Sequence, residues 1–292
     1  MKIGLVLEGG SVRGIYTAGV LDVLMDNKIE FDYVIGVSAG ACHASSFISK
    51  QRGRAYITNT DYLTDKRYIS FRNYFKTKSV FGMDFMFDEI PNRLNKFDLA
   101  TFKKSKTIFK IGTTDVNTGK PVYFDKKDLI NDSKFSVLRA SISIPIYTPI
   151  VDYKGGKYLD GGTSDPIPVK KAFEDGCDKV IVVATRERSF VKSKEKGKLL
   201  YKWMLRKYPK MIETMNRRHD IYNDTLDYIR EMEKQGKVLV IAPSEPLNIG
   251  RLELNKVKME KIYTFGINDV KNNMKAIKKF IKKDNKKSKC SG

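Results

Sequence analysis

Ser38 stands in Gly36-Val37-Ser38-Ala39-Gly40, between an apolar run, Phe31 to Ile35, and a small-residue segment, Ala41 to Ile48, that reads as the start of a helix. Strand, tight turn and helix form the setting in which a Gly-x-Ser-x-Gly elbow exposes a serine hydroxyl, the glycines letting strand and helix approach closely. The chemistry on offer is nucleophilic attack on an acyl carbonyl. A second strand-to-helix turn, Glu8-Gly9-Gly10-Ser11-Val12-Arg13-Gly14, suits the same reaction. Its backbone N–H groups and helix dipole converge on one anion site. The turn has neither the Gly-x-Gly-x-x-Gly of a dinucleotide site nor the Gly-x-x-x-x-Gly-Lys of a P-loop. An oxyanion hole needs only two or three such donors beside a nucleophile.

The serine needs a base, and the usual one is histidine. The chain has two. His43 lies five residues beyond Ser38 on the elbow helix, where its side chain points away from the apex of the turn, and His219 sits in a charged helix, Arg217-Arg218-His219-Asp220. Both read as ordinary histidines. A carboxylate is the next candidate, and Asp160, at a strand end before Gly161 and Gly162, is the best placed. Asp152, which begins a hairpin turn, and Asp165, which orders the loop before Pro166, compete with it. A carboxyl group of reference pKa about 3.9 is a feeble base unless partial burial or direct contact with the hydroxyl compensates. Taken alone, Asp160-Gly161-Gly162 also reads as a plain β-turn.

Alternating strand and helix must position these residues. Strands are expected at 2–7, 31–35, 179–184 and 237–242, with helices at 12–27, 135–141, 169–175, 199–205, 209–235 and 269–282. Two hairpins are expected, 107–112 with 121–124 and 150–153 with 157–159, the second ending at Asp160. The pattern predicts an α/β fold, a three-layer α/β/α sandwich on a mostly parallel sheet. In a right-handed parallel sheet the turns at Gly9 and Ser38 emerge at the same carboxyl edge. Residues 54–90 interrupt the alternation with aromatic side chains from Tyr56 to Phe87 among Arg67, Arg72, Lys76 and Lys78. Two readings compete there: a cap lining an acyl-chain pocket, and ordinary core under a basic surface.

With 41% hydrophobic and 11% aromatic residues, the 292-residue chain excludes bulk disorder. Three widely separated cysteines without a Cys-x-x-Cys argue against a disulfide framework or zinc site and for a reducing, cytoplasmic setting. The first apolar run, Ile3 to Leu7, is too short for a secretory leader, and no stretch approaches the roughly 18 apolar residues of a transmembrane helix. The net charge of +21 thickens toward the C-terminus, where lysines from Lys275 to Lys289 accumulate. Attraction to anionic lipid is one reading and a solvated helix face with a frayed tail the other. Nucleic acid is disfavoured because aromatics are not interleaved with these lysines.

In order, the Glu8 to Gly14 loop, Gly36 to Gly40 and Asp160 to Gly162 resemble the three motifs of the patatin-like phospholipase family, most closely its bacterial branch. The resemblance extends over residues 3–185 and is looser in the C-terminal third. It implies that Ser38 is the acyl nucleophile and Asp160 its partner in a dyad without histidine. It also implies that the N–H groups of Gly9, Gly10 and Ser11 hold the oxyanion and that Arg13 helps hold their loop. Gly14, Gly36, Ala39, Gly40, Gly161 and Gly162 complete the motifs. The family's loop carries a third glycine where this chain has Ser11, so any positive φ required there would be strained.

The function expected is that of a serine lipid acyl hydrolase, of phospholipase A or carboxylesterase type, working through an acyl-enzyme on lipid or phospholipid esters. No metal or cofactor is required, and peripheral contact with the anionic inner face of a membrane is expected. Two alternatives stay open: an acyltransferase or thioesterase, and a non-catalytic membrane-binding protein. Residues 1–282 are expected to form a single hydrolase domain, with a motif-bearing part at 3–185 and a helical part at 195–282. A lysine-rich, disordered tail is expected at 283–292.

Overall fold

The computed structural model describes residues 1–194, 198–250 and 253–282; the expected tail at 283–292 lies outside the described residues. The apolar runs become strands of one sheet: β1 (Ile3–Leu7), β2 (Tyr33–Val37), β3 (Ile108–Asp115), β4 (Pro121–Asp125), β5 (Val151–Tyr153), β6 (Gly156–Asp160), β7 (Lys179–Val183) and β8 (Val238–Ile241). Their order is β5-β6-β3-β2-β1-β7-β8, with β4 also paired to β3. From β8 through β7, β1 and β2 to β3 the pairs are parallel, and the two expected hairpins are antiparallel.

Every residue of β1 and β2 is buried, which is why these strands read as continuous apolar runs. Their side chains nevertheless alternate between two cores. Leu5, Leu7, Val34, Ile181 and Val183 pack with α1 (Ile15–Asp26), α2 (Ala39–Ile48) and residues of a long C-terminal helix. Val6, Tyr33, Ile35, Val180 and Val182 face the other way, onto residues near 170 and 222. Helix, sheet and helix make the three expected layers.

The connections hold α3 (Arg54–Thr60), α4 (Phe71–Thr77), α5 (Leu99–Lys104), α6 (Lys126–Ile130) and α7 (Ser136–Ser141), with a π-helix at Phe85–Leu94. The second half of the chain supplies α8 (Val169–Glu174), α9 (Lys198–Met204), α10 (Pro209–Lys234) and α11 (Lys256–Ile281). α8 and α10 cover the second core. The last helix starts at Lys256, capped by Asn255, well before the expected Asp269. Its first turns are rich in lysine, and the reason they belong to the fold is contact at a distance. A Cβ on Gly266 would overlap the Tyr16 carbonyl oxygen, and one on Gly19 that of Tyr263, so α1 and α11 touch backbone to backbone. Tyr16 donates to Asp269 at 3.0 Å and Tyr263 to Asp22 at 2.5 Å across the same seam.

The edge of β3 sets the geometry that follows. Residues 110–112 of β3 are bonded to both β2 and β4, so these neighbours occupy opposite edges. Thr113 and Thr114 are bonded to both β4 and β6, so β6 lies on the β2 edge, in the space where β2 has stopped. Val37 pairs with Gly112 and Asp160 with Thr113, one register step apart. The residue after Val37 is Ser38.

Candidate active site

At Ser38 the backbone takes φ 55° and ψ −127°, a region that side chains other than glycine's rarely enter. The flanking glycines make the elbow possible. A Cβ on Gly36 would stand 2.7 Å from the Ala41 nitrogen, and one on Gly40 would stand 2.6 Å from the Leu7 carbonyl oxygen. From this turn the Ser38 hydroxyl donates to Oδ2 of Asp160 at 2.8 Å. The pair is nearly sealed, Ser38 being 4% and Asp160 7% exposed.

Each member is held from behind. The Ser38 N–H donates to Ser141 Oγ at 2.8 Å, and that hydroxyl donates to the Gly112 carbonyl at 2.7 Å, which ties the elbow through α7 to β3. The other carboxylate oxygen of Asp160 accepts the Gly162 N–H at 2.6 Å, while the Asp160 N–H donates to the Ser143 carbonyl at 2.8 Å. Gly161 lies flat against the Gly112 carbonyl, where a Cβ would collide. Arg218 Nε of α10 donates to the Gly162 carbonyl at 2.9 Å.

The glycine loop packs directly on the elbow. A Cβ on Gly9 would lie 3.2 Å from Ser38 Cβ, and one on Gly14 would lie 2.7 Å from Ala39 Cβ. Gly9 turns its N–H to the Pro166 carbonyl at 3.3 Å. Ser11, where the resemblance implies a glycine, carries the strained backbone, with φ 50°. Glu8 anchors the loop from below: its carboxylate accepts the Thr185 N–H at 2.5 Å and the Tyr222 hydroxyl at 2.8 Å. Burial raises the Glu8 pKa, against the pull of these bonds and of the Arg13 charge. Arg13 therefore faces the anchor of its own loop.

Neither histidine is the partner of the Ser38 hydroxyl. His43 is enclosed beneath Gly14, and burial, with the Arg54 charge, lowers its pKa to about 4, so the ring is neutral at pH 7. His219 Nε2 sits 3.2 Å from Asp220. The competing acids are engaged elsewhere: Asp152 pairs with Lys157 at the surface, and Asp165 accepts the Tyr123 hydroxyl.

Two cavities meet at Ser38. One, of about 130 Å³, is apolar and runs under Leu63, Tyr68, Phe81, Met86, Phe87 and Leu138. The other, of about 190 Å³, is polar and lies between the glycine loop, Asp160, Arg186, Lys192 and Arg218. Residues 54–90 fit neither expectation throughout. Tyr68, Phe81 and Phe87 are buried walls of the apolar cavity, whereas Phe71 and Phe75 stand in solvent. Among the described residues no group of three His, Cys, Asp or Glu side chains could hold a metal ion.

The family model of the patatin-like phospholipases matches residues 5–173. The chain belongs to that family. This patatin-like phospholipase is accordingly a hydrolase of lipid esters. A second model, for a domain of unknown function (DUF6363), matches residues 208–282. The chain is 28% identical over 253 residues to the uncharacterized protein YjjU of Escherichia coli (strain K12), covering 85% of this chain and 70% of that protein. It is 29% identical over 191 residues to lysophospholipase NTE1 of Meyerozyma guilliermondii, which covers 62% of this chain but only 12% of that protein. Among solved structures it is similar to VipD from Legionella pneumophila, with a TM-score of 0.49 and 12% identity, over 94% of this chain and 67% of that one.

Sequence reasoning did not single out Ser141, Thr185, Arg218 or Tyr222 of this phospholipase, nor give Glu8 a part. The last two arrive from α10, more than half the chain away from Ser38. The available signal was their spacing: four residues apart, they share one face of a helix otherwise read as charged.

Proposed function

We propose that this chain hydrolyses lipid acyl esters by covalent catalysis at Ser38, with Asp160 as base. The observation that carries the reading is the 2.8 Å hydrogen bond from the Ser38 hydroxyl to Asp160, made at a strained elbow between an apolar and a polar cavity. Asp160 Oδ2 takes the Ser38 proton as Oγ attacks the ester carbonyl. The N–H groups of Gly10 and Ser11 receive the oxyanion, Gly9 being bonded to Pro166. The acyl chain occupies the apolar cavity, and the glycerol and headgroup leave through the polar cleft. As the tetrahedral intermediate collapses to acyl-Ser38, Asp160 passes that proton to the leaving alcohol. Water then attacks the acyl ester, Asp160 takes its proton, and Ser38 Oγ receives it as the fatty acid departs. Direct contact is what makes a weak base adequate: the proton is transferred along a bond already formed, in a site nearly closed to water.

Residues 1–282 act as one unit in this reading, because α10 and α11 grip the loop and helix that carry the site. The substrate is a lipid or phospholipid ester met at the cytoplasmic face of an anionic membrane. Hydrolysis of p-nitrophenyl butyrate and of lysophospholipid by wild type, Ser38→Ala and Asp160→Asn tests the chemistry. Ser38→Ala is expected to lose activity by at least about 10³-fold and Asp160→Asn by about 10²- to 10⁴-fold in kcat. Full activity in Ser38→Ala overturns the reading.

A further inference from the structure

Two short helices beside the site carry apolar side chains on their outer faces. On α9, Leu199 and Trp203, one turn apart, are 85% and 65% exposed, and Leu200 is 51% exposed. Tyr201, on another face of the same helix, and Leu205, just past its C-terminus, are buried, and Tyr201 lines the polar cleft. Lys202 on the helix and Arg206 just beyond it are exposed, and the Arg206 guanidinium lies over the Trp203 ring at 5.5 Å. On α4, Phe71 and Phe75, again one turn apart, are 75% and 81% exposed among exposed Arg72, Lys76 and Lys78. That helix hangs between Ile69 and Phe81, which bridge to each other and both line the apolar cavity.

Leaving such side chains in water is unfavourable, and what covers them must be apolar in one layer and anionic in the next. A second copy of this chain fits poorly, since each copy carries a net charge of +21. A bilayer of anionic lipid supplies both layers: apolar side chains sink to the acyl boundary while lysine and arginine stay at the phosphates. Each helix is moreover joined to the wall of one of the two cavities at Ser38.

We propose that α4 and α9 dock the protein on an anionic lipid surface, with Phe71, Phe75, Leu199, Leu200 and Trp203 inserted at the headgroup level. Docking there presents the walls of both cavities to the bilayer. The choice of lipid as partner rests on the hydrolase reading, but the test does not need turnover. Trp203 is the sole tryptophan, so its emission reports on α9.

The full chain carrying Ser38→Ala, which leaves vesicles intact, is titrated with phosphatidylglycerol vesicles and with phosphatidylcholine vesicles. The expected result is a blue shift of emission with co-sedimentation on phosphatidylglycerol, and affinity at least about tenfold weaker on phosphatidylcholine. Adding Leu199→Glu with Leu200→Glu, or Phe71→Glu with Phe75→Glu, is expected to weaken binding about tenfold or more. Thermal unfolding at an unchanged midpoint shows that these surface variants fold. The proposal is overturned if bound protein shows unshifted emission, if both double variants bind like the parent, or if removing residues 283–292 alone abolishes binding. A blue shift on concentrating the protein without vesicles, with a dimer mass, also overturns it and assigns the face to a second copy. Failure of the hydrolase reading shows separately, as p-nitrophenyl ester turnover by Ser38→Ala at the wild-type rate.

Discussion

Arg218 and Tyr222 sit one turn apart on α10 and hold two different motifs of the site: Arg218 donates to the Gly162 carbonyl at 2.9 Å, and Tyr222 donates to Glu8 at 2.8 Å. A helix matched by a domain of unknown function thus braces both the carboxylate turn and the glycine loop. Tyr222→Phe leaves a buried carboxylate oxygen short of a donor, and is expected to cost about 1–3 kcal/mol in chemical denaturation. If the loop shifts with its anchor, kcat for an ester falls by up to the roughly 10²- to 10³-fold effect of one lost oxyanion donor, with KM little changed. A fall in KM and kcat without loss of stability would contradict this role for Tyr222.

The elbow reverses the usual ranking of alanine and glycine. Glycine ordinarily destabilises a fold relative to alanine through the entropy of the unfolded chain. At Ser38 the φ of 55° favours glycine instead, so Ser38→Gly is expected to be more stable than Ser38→Ala by about 1–3 kcal/mol, both variants being inactive. Thermal melts of the two proteins side by side check it. Ser11, with φ 50°, follows the same rule: Ser11→Gly should be tolerated in stability and activity, and Ser11→Val should lose both.

Much of this was legible in the residues because the devices are local. An elbow needs glycines at fixed spacing, a glycine-rich strand-to-helix turn is an anion site on its face, and Asp160 ends a hairpin strand. The adjacency of the first two followed from topology, since parallel strands bring their carboxyl ends to one edge, whereas Asp160 arrives on the antiparallel β6. What could not be read is what depends on distant contact. Ser141 looks like any helical serine until Gly112 and Ser38 are placed on either side of it. Glu8, Thr185 and Tyr222 are joined only by the fold. The cap over a pocket stayed one of two readings of residues 54–90 because the π-helix around Pro91 breaks the 3.6-residue period of that segment.

Asp165 gives the fold a pH dependence that a single substitution exposes. Burial lifts its pKa from 3.8 to about 6. The folded protein therefore keeps a proton that the unfolded chain releases near 3.8, and the stability contributed falls as pH rises between those values. The accumulated penalty at pH 7 is about 3 kcal/mol at most, from about 1.36 kcal/mol per pKa unit. Asp165→Asn, which still accepts from Tyr123, is expected to gain on wild type progressively from pH 4 to pH 7. Urea denaturation at each pH checks it, and a gain independent of pH refutes it.

Acyl-chain preference should follow the apolar cavity, whose 130 Å³ is close to the roughly 150 Å³ that holds a benzene ring. Met86→Ala lengthens that space and is expected to move the best p-nitrophenyl ester to a longer chain. Leu138→Phe fills it and is expected to move the optimum the other way. The ratio of kcat/KM between butyrate and decanoate esters is the readout, and parallel changes for both esters would count against the cavity as acyl site.

The handover of the β3 edge from β2 to β6 has an evolutionary consequence. Ser38 and Asp160 are spaced by a hydrogen-bond ladder, Val37 on Gly112 and Asp160 on Thr113, and not by the length of chain between them. Connections between residues 38 and 160 other than β3, β6 and the Ser141–Ser143 segment can therefore be lengthened, shortened or exchanged while Ser38 and Asp160 keep their separation. The walls of the apolar cavity lie largely in that interval, so on the proposed hydrolase reading lineages are free to change what they digest without retuning how they cut it.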